Sequence, residues 1–435
     1  MDLAPLGRVR PRPAPRTVPD ALPPDAAPPR PGGASVLTDY APPTGEPDRD
    51  RVWLHVALFL ATFGSMVWAG GALVARSELW PTEPSAFPIL DALALSLLAD
   101  PDFLRDGLLY AVPFLLFLTV HEFGHYIAAR VVKTRVSLPY YIPIPFPGSL
   151  GTFGAVIRIK EPLRRTRQLF DIGAAGPLAG FVVAVGVLLV AVTTLPPPEY
   201  LLAVAGHAEA AATLAATGQL PPFDRDAVAR GSQALVFGDT PLFYLLNGLG
   251  AYRVPAHEII HYPVLMAGWL GLFFTALNLL PVGQLDGGHV VYALFGPDVH
   301  RVVARVTTLL LLLSGGIGLV TTGGAGWTWW LALAGIYGLA FARLFDGAWR
   351  LVGLAVAGAL ALTALVVFAT PGLAASVGYT GWLVWIGLIL FVVRVDHPPV
   401  QVREPLTPGR KALGYLCLVL FVLCFSIQPI EIVVG

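Results

Sequence analysis

The chain has 435 residues, of which 55% are hydrophobic and only 13% charged, and its formal net charge is zero. Soluble domains carry about 25% charged residues, so the composition excludes an ordinary soluble domain and points to a membrane. The balanced charge excludes a nucleic-acid-binding surface, which needs a basic face.

Residues 1–51 are rich in Pro, Ala and Arg and contain no apolar run long enough for a signal-peptide core. Such a stretch buries too little surface to offset its ordering entropy and reads as a disordered cytoplasmic tail. A mitochondrial or plastid presequence is the alternative reading, opposed by the prolines. From Val52 onward, apolar runs of membrane-spanning length alternate with short charged stretches. The predicted spans cover 52–75, 108–130, 169–194, 263–282, 302–320, 327–342, 351–370, 382–395 and 412–430. The apolar run at 86–98 is too short to cross and is expected at the interface. The chain thus divides into the tail, a first span with its interfacial segment (52–104), a core (105–300) and additional C-terminal spans (301–435). The two cysteines, Cys417 and Cys424, are too few for a four-thiolate cluster or a disulfide framework and read as lipid-facing or packing residues.

Orientation follows from the basic residues of short loops. Arginines crowd the tail, and Lys and Arg crowd the connection from Arg130 to Arg167, whereas 78–102 is acidic and 196–258 is sparse in basic residues. The expected N-terminus is cytoplasmic.

The pattern His-Glu-x-x-His occurs twice. Two histidines four apart lie on one helical face and can reach one Zn²⁺, with the adjacent glutamate placed to take a proton from attacking water. The first copy, His121-Glu122-Phe123-Gly124-His125, lies inside the second predicted span, where ionisable groups are costly and mark function. The second, His257-Glu258-Ile259-Ile260-His261, lies between Pro255 and Pro263 and reads as a wet interfacial segment, because Pro263 restricts the helix there. A third ligand separates them. Asp286 follows the fourth span near the cytoplasmic side, at the depth of His121 and His125. His261 is 25 residues away, about 37 Å at the helical rise, on the opposite face. Only the first copy can share a metal with Asp286.

These residues resemble the site-2 protease family of intramembrane zinc metalloproteases, peptidase family M50. The likeness rests on His121-Glu-Phe-Gly-His125, on Asn278-x-x-Pro281-x-x-x-Leu285-Asp286-Gly287, on Phe170 to Gly180 with its Gly176-Pro177, and on Ala267 to Leu272. It covers about 105–300. It implies an all-α polytopic membrane protein with a three-helix catalytic core, expected here to have 8–9 transmembrane helices. It also implies one zinc per chain on His121, His125 and Asp286, with Glu122 as catalytic base. The implied activity is cleavage of transmembrane substrates near the cytoplasmic face in regulated intramembrane proteolysis. The family often carries a PDZ module after its third core segment; the stretch 196–258 is too short for one.

Between the second and third spans, the prolines of 139–147 exclude helix. Gly151-Thr152-Phe153-Gly154 leads into an alternating strand-like segment, expected as a short membrane-associated β-hairpin or re-entrant loop. One reading makes it an edge strand, with Gly151, Phe153 and Gly154 binding unwound substrate by β-augmentation. The other is an amphipathic connector. Asn278 is expected to donate to the oxyanion or to relieve the helix break at Pro281. Gly176 and Gly180 are expected to pack the third span on the catalytic helix, and His289 to neighbour the site without ligating. His55, His207, His300 and His397 show no partner pattern. Expected partners are a transmembrane protein substrate and the bilayer, with no nucleic acid; the sequence is silent on oligomeric state. The expected location is a bacterial inner membrane. A transporter or metal-ion carrier, which needs paired broken helices, and a non-catalytic scaffold are the rival readings.

Overall fold

The computed structural model describes residues 51–74, 102–145, 149–204, 207–223, 233–324, 326–345 and 347–434. Nearly all of the expected tail and the run at 86–98 lie outside the described residues.

Helices dominate because a backbone in hydrocarbon must satisfy its own polar groups. In order they are α1 (Val52–Val74), α2 (Phe103–Val131), α3 (Thr166–Thr193), α4 (Ala208–Thr217), α5 (Pro241–Asn247), α6 (Pro263–Asn278), α7 (Asp286–Phe295), α8 (Pro297–Thr322), α9 (Trp327–Leu344), α10 (Trp349–Ala369), α11 (Pro371–Val377), α12 (Trp382–Leu388) and α13 (Pro408–Cys424). Proline sits at the first position of α5, α6, α8, α11 and α13, where its missing N–H costs nothing. At the start of α3, Gln168 Oε1 accepts from the backbone N–H groups of Arg164 and Arg165.

Among the described residues five helices are long and apolar enough to cross a membrane: α1, α2, α3, α8 and α10. A sixth arises if α11 and 382–393, bent by 50°, form one span. The expected 8–9 crossings exceed that number. The difference is α6 and α13, which have only 16 and 17 residues, and α9, whose 18 residues include three tryptophans and Arg343 and are not apolar enough. The fourth predicted span ends at Asn278 instead of 282, and the ninth at Cys424 instead of 430.

Two small antiparallel sheets join the helices. β1 (Tyr140–Pro143) pairs with β2 (Thr152–Val156), Tyr140 opposite Val156 and Pro143 opposite Thr152, with a bulge between. The expected hairpin is present. Gly151 and Gly154 take positive φ of 77° and 99°, which glycine alone adopts without strain. The second sheet was not expected: β3 (Gln233–Phe237) pairs in full register with β4 (Ile430–Val434). The described residues of 196–258 hold a 3₁₀ turn (Pro198–Ala203), α4, β3 and α5.

α2, α3 and α6 pack on one another, α1 covers α2, and α7 lies against α3. Gly176 and Gly180 of α3 face the catalytic helix as expected. A Cβ on Gly176 would collide with the His125 imidazole, and one on Gly180 would press Phe117 and His121 at 3.0–3.1 Å. Both cysteines are free and buried, so they pack rather than face lipid.

Candidate metal centre

The centre sits where α2 passes the break between α6 and α7. Two helical turns of α2 present His121, Glu122 and His125, all buried. Across from them α6 stops at Asn278. Pro281 lacks an amide hydrogen, Gly283 takes a positive φ of 53°, and the close approach of Gly287 and Gly288 to the carbonyls of Leu279 and Gly283 leaves no room for a side chain. This tight loop puts Asp286 at the first residue of α7. Asp286 follows the fourth span and its break at Pro281, as expected, and a separate short helix carries it.

The donor atoms converge. His121 Nε2 and His125 Nε2 are 3.1 Å apart, and Asp286 Oδ2 lies 3.5 and 3.2 Å from them. His125 Nδ1 donates to the Ile172 carbonyl at 2.7 Å. That bond fixes the tautomer and leaves the Nε2 lone pair facing inward, the usual orienting contact behind a metal-binding histidine. Two imidazole nitrogens and a carboxylate oxygen crowded together are mutually repulsive unless a cation joins them. Their spacing matches the roughly 3.3 Å edge of a tetrahedron built on zinc–nitrogen distances of about 2.0–2.1 Å. The residues therefore fit zinc, and the expected one-zinc donor set is physically coherent.

A cavity of about 230 Å³ opens beside these atoms, lined by Glu122, Asn278, Gln284, His289 and the segment Ala155-Val156-Ile157. Asn278 Nδ2 is 3.3 Å from His121 Nε2. The strand approaches by one stretch later in sequence than expected: Gly151, Phe153 and Gly154 are absent from the cavity wall, and Phe153 is 74% exposed. The alternation of hydrogen bonds explains why Ile157 matters. Arg158 and Lys160 direct their backbone groups to Ser137 and Arg135. The backbone N–H of Ile157 therefore points away from the 135–137 segment and donates to the Glu122 carboxylate.

All four histidines without a sequence partner have one. His55 Nδ1 donates to the Pro139 carbonyl, and His207 reaches Glu258. His300 lies against the rings of Tyr292 and His397. His397 Nε2 is 2.8 Å from His289 Nδ1. Burial first, and the neighbouring His397 next, hold the His289 imidazole low, at about 3, so it is neutral at the cavity wall. The orienting carbonyl of Ile172 carried no sequence signal.

Fold and centre together define a helical membrane protein with a buried two-histidine, one-aspartate donor group beside a carboxylate. The profile of peptidase family M50 matches residues 109–314, a little under half of the chain. It is 30% identical over 228 residues to the probable zinc metalloprotease EGY2, chloroplastic, of Oryza sativa subsp. indica, covering 52% of this chain and 36% of that protein. It is 31% identical over 276 residues to the probable zinc metalloprotease EGY1, chloroplastic, of Arabidopsis thaliana, covering 61% and 44%. The chain thus spans less than half the length of these curated relatives. Their names place those plant proteins in chloroplasts and lend no support to the expected bacterial inner membrane. No solved structure matches.

Proposed function

We propose that this protein is a zinc metalloendopeptidase that cleaves transmembrane segments of other membrane proteins near the cytoplasmic face, in regulated intramembrane proteolysis. The observation that carries this is the convergence of His121 Nε2, His125 Nε2 and Asp286 Oδ2 within 3.1–3.5 Å beside Glu122. Bound zinc supplies Lewis-acid polarisation of the scissile carbonyl. Glu122 takes the proton of the attacking water and later gives it to the leaving amine. Asn278 donates from its amide to the developing oxyanion. The open edge of β2 holds the unwound substrate as an added strand, with Gly151, Phe153 and Gly154 shaping its entry, while the Ile157 N–H holds the Glu122 carboxylate in place. An extended substrate is required because helical carbonyls are shielded.

Nine crossings with a cytoplasmic N-terminus fit the sheet pairing. Six apolar stretches separate β3 from β4: α6, α8, α9, α10, the bent 371–393 pair and α13. An even number returns the chain to the same side, where β3 and β4 meet. The M50 match and the full base-plus-ligand set favour an enzyme over a scaffold.

Purified, zinc-loaded protein in lipid vesicles with a co-reconstituted single-span substrate tests this. Cleavage by the wild type and none by Glu122→Gln is expected. Cleavage retained by Glu122→Gln sinks the assignment. Membrane proteomes of cells carrying each form would identify the substrates.

A further inference from the structure

The second His-Glu-x-x-His copy is neither a second catalytic centre nor an unremarkable loop. Its residues do not form a helix: Ile259–His261 is a single 3₁₀ turn that begins after Glu258. His257 and His261 therefore do not share a face. The His257 ring packs against Phe223 with centroids 5.0 Å apart, and its Nε2 lies 3.5 Å from Glu258 Oε1. The missing ligand comes from elsewhere. His207, the residue that opens α4, brings its Nε2 to 3.4 Å from Glu258 Oε1, and its ring lies 4.6 Å from that of His261 at 76°.

We propose that His207, Glu258 and His261 form a second metal site for a zinc-class divalent transition cation. One ligand atom from each of the three lies within 4.8 Å of the other two. Two imidazoles and a carboxylate suit Zn²⁺ or Co²⁺, and the absence of thiolate donors disfavours softer ions. Glu258 is buried, and its Oε2 has no hydrogen-bond partner among the described residues. A buried carboxylate oxygen left bare is costly unless a cation or donor reaches it. The glutamate that would serve as a base in a helical motif is thus a ligand in this one.

The surroundings hold the donors in place. Tyr200 OH donates to the His261 carbonyl at 2.6 Å, Ile259 is fully buried, and the 3₁₀ turn contacts α1, β3 and the start of α6. A cation here clips the α4 segment to the entrance of α6, the helix whose far end carries Asn278. The 16-residue α6 separates the two centres by about 24 Å at the helical rise, so the second site serves architecture and not the chemistry of Glu122.

Metal content of chelator-stripped protein, reloaded with Zn²⁺ or Co²⁺ in detergent and dialysed, tests the site. The expected stoichiometry is two ions per chain for the wild type. Asp286→Ala, His207→Ala and Glu258→Gln should each hold one, and the Asp286→Ala/His207→Ala double variant none. A wild type holding one ion that His207→Ala and Glu258→Gln leave in place overturns the proposal. A loss caused by His207→Ala but not by Asp286→Ala would instead overturn the reading of the first centre. Because His207→Ala could fail to fold, Co²⁺ is also titrated into Asp286→Ala protein. Visible d–d bands that saturate at one equivalent, and their loss in Asp286→Ala/Glu258→Gln, support the site, whereas no bands overturn it.

Discussion

The same five-residue pattern occurs at 121–125 and at 257–261, and the two copies behave differently because of what surrounds them. The first lies in the middle of a 29-residue helix, so its histidines stack one turn apart and its glutamate faces the same cavity. The second begins between Pro255 and Pro263, collapses into a 3₁₀ turn, and scatters its histidines. Spacing in sequence becomes spacing in space only where the backbone is helical. Each copy recruits a third donor from a distant segment, Asp286 in one case and His207 in the other.

The sharpest way to break this comparison is to neutralise the two glutamates in turn. Glu122→Gln should lower proteolysis by about 100- to 10,000-fold, the usual contribution of a general base, with zinc content unchanged. Glu258→Gln should leave turnover per folded molecule intact. Equal losses from both would erase the distinction drawn between the copies. A second test concerns Asn278. Asn278→Ala should reduce kcat by about 100- to 1,000-fold, as loss of an oxyanion donor does, with little change in KM. An unchanged kcat per folded molecule with a lowered Tm would return Asn278 to a role in the helix break.

Packing offers a smaller effect. Gly176→Ala places a methyl group against the His125 ring, and relieving such overpacking costs about 1–3 kcal/mol. Zinc retention against a chelator should weaken by about 5- to 150-fold, on the scale where 1.4 kcal/mol is tenfold. The second copy has no such glycine, so Gly176→Ala should leave its metal untouched. The smallest effect is expected from Ile157→Pro, which deletes the N–H that donates to the Glu122 carboxylate. Losing a single backbone hydrogen bond of about 0.5–1.5 kcal/mol should lower kcat by about 2- to 13-fold and leave KM nearly unchanged.

Much of the first centre was legible in the sequence because each part carries a local signature. His121, Glu122 and His125 sit at helical spacing in an apolar run, Gly176 and Gly180 mark a close approach, and Pro281 with Gly283 marks the break before Asp286. The short helix that holds Asp286 was hidden, since the apolar run gives no hint that α6 stops at Asn278. What escaped altogether lies between residues far apart in the chain. His289 and His397 are 108 positions apart, and neither neighbourhood hints at the other. The same holds for His207 with Glu258. Only Ile430 of β4 was read as the end of a span, and the five residues Ile430 to Val434 are too few to signal a strand whose partner lies almost two hundred positions earlier. Asp171 and Arg410, 239 residues apart, form a two-point ion pair at 2.7 and 2.8 Å that ties α3 to α13, again with no local trace.

The β3–β4 ladder also has a bearing on the order of assembly. β3 lies before α6 and receives its partner only after residues 430–434 have been made, almost two hundred positions later. During synthesis its backbone edge stays unmatched while every helix from α6 to α13 is being inserted. A newborn chain therefore carries β3 without its ladder partner, next to the entrance of α6, until β4 has been made.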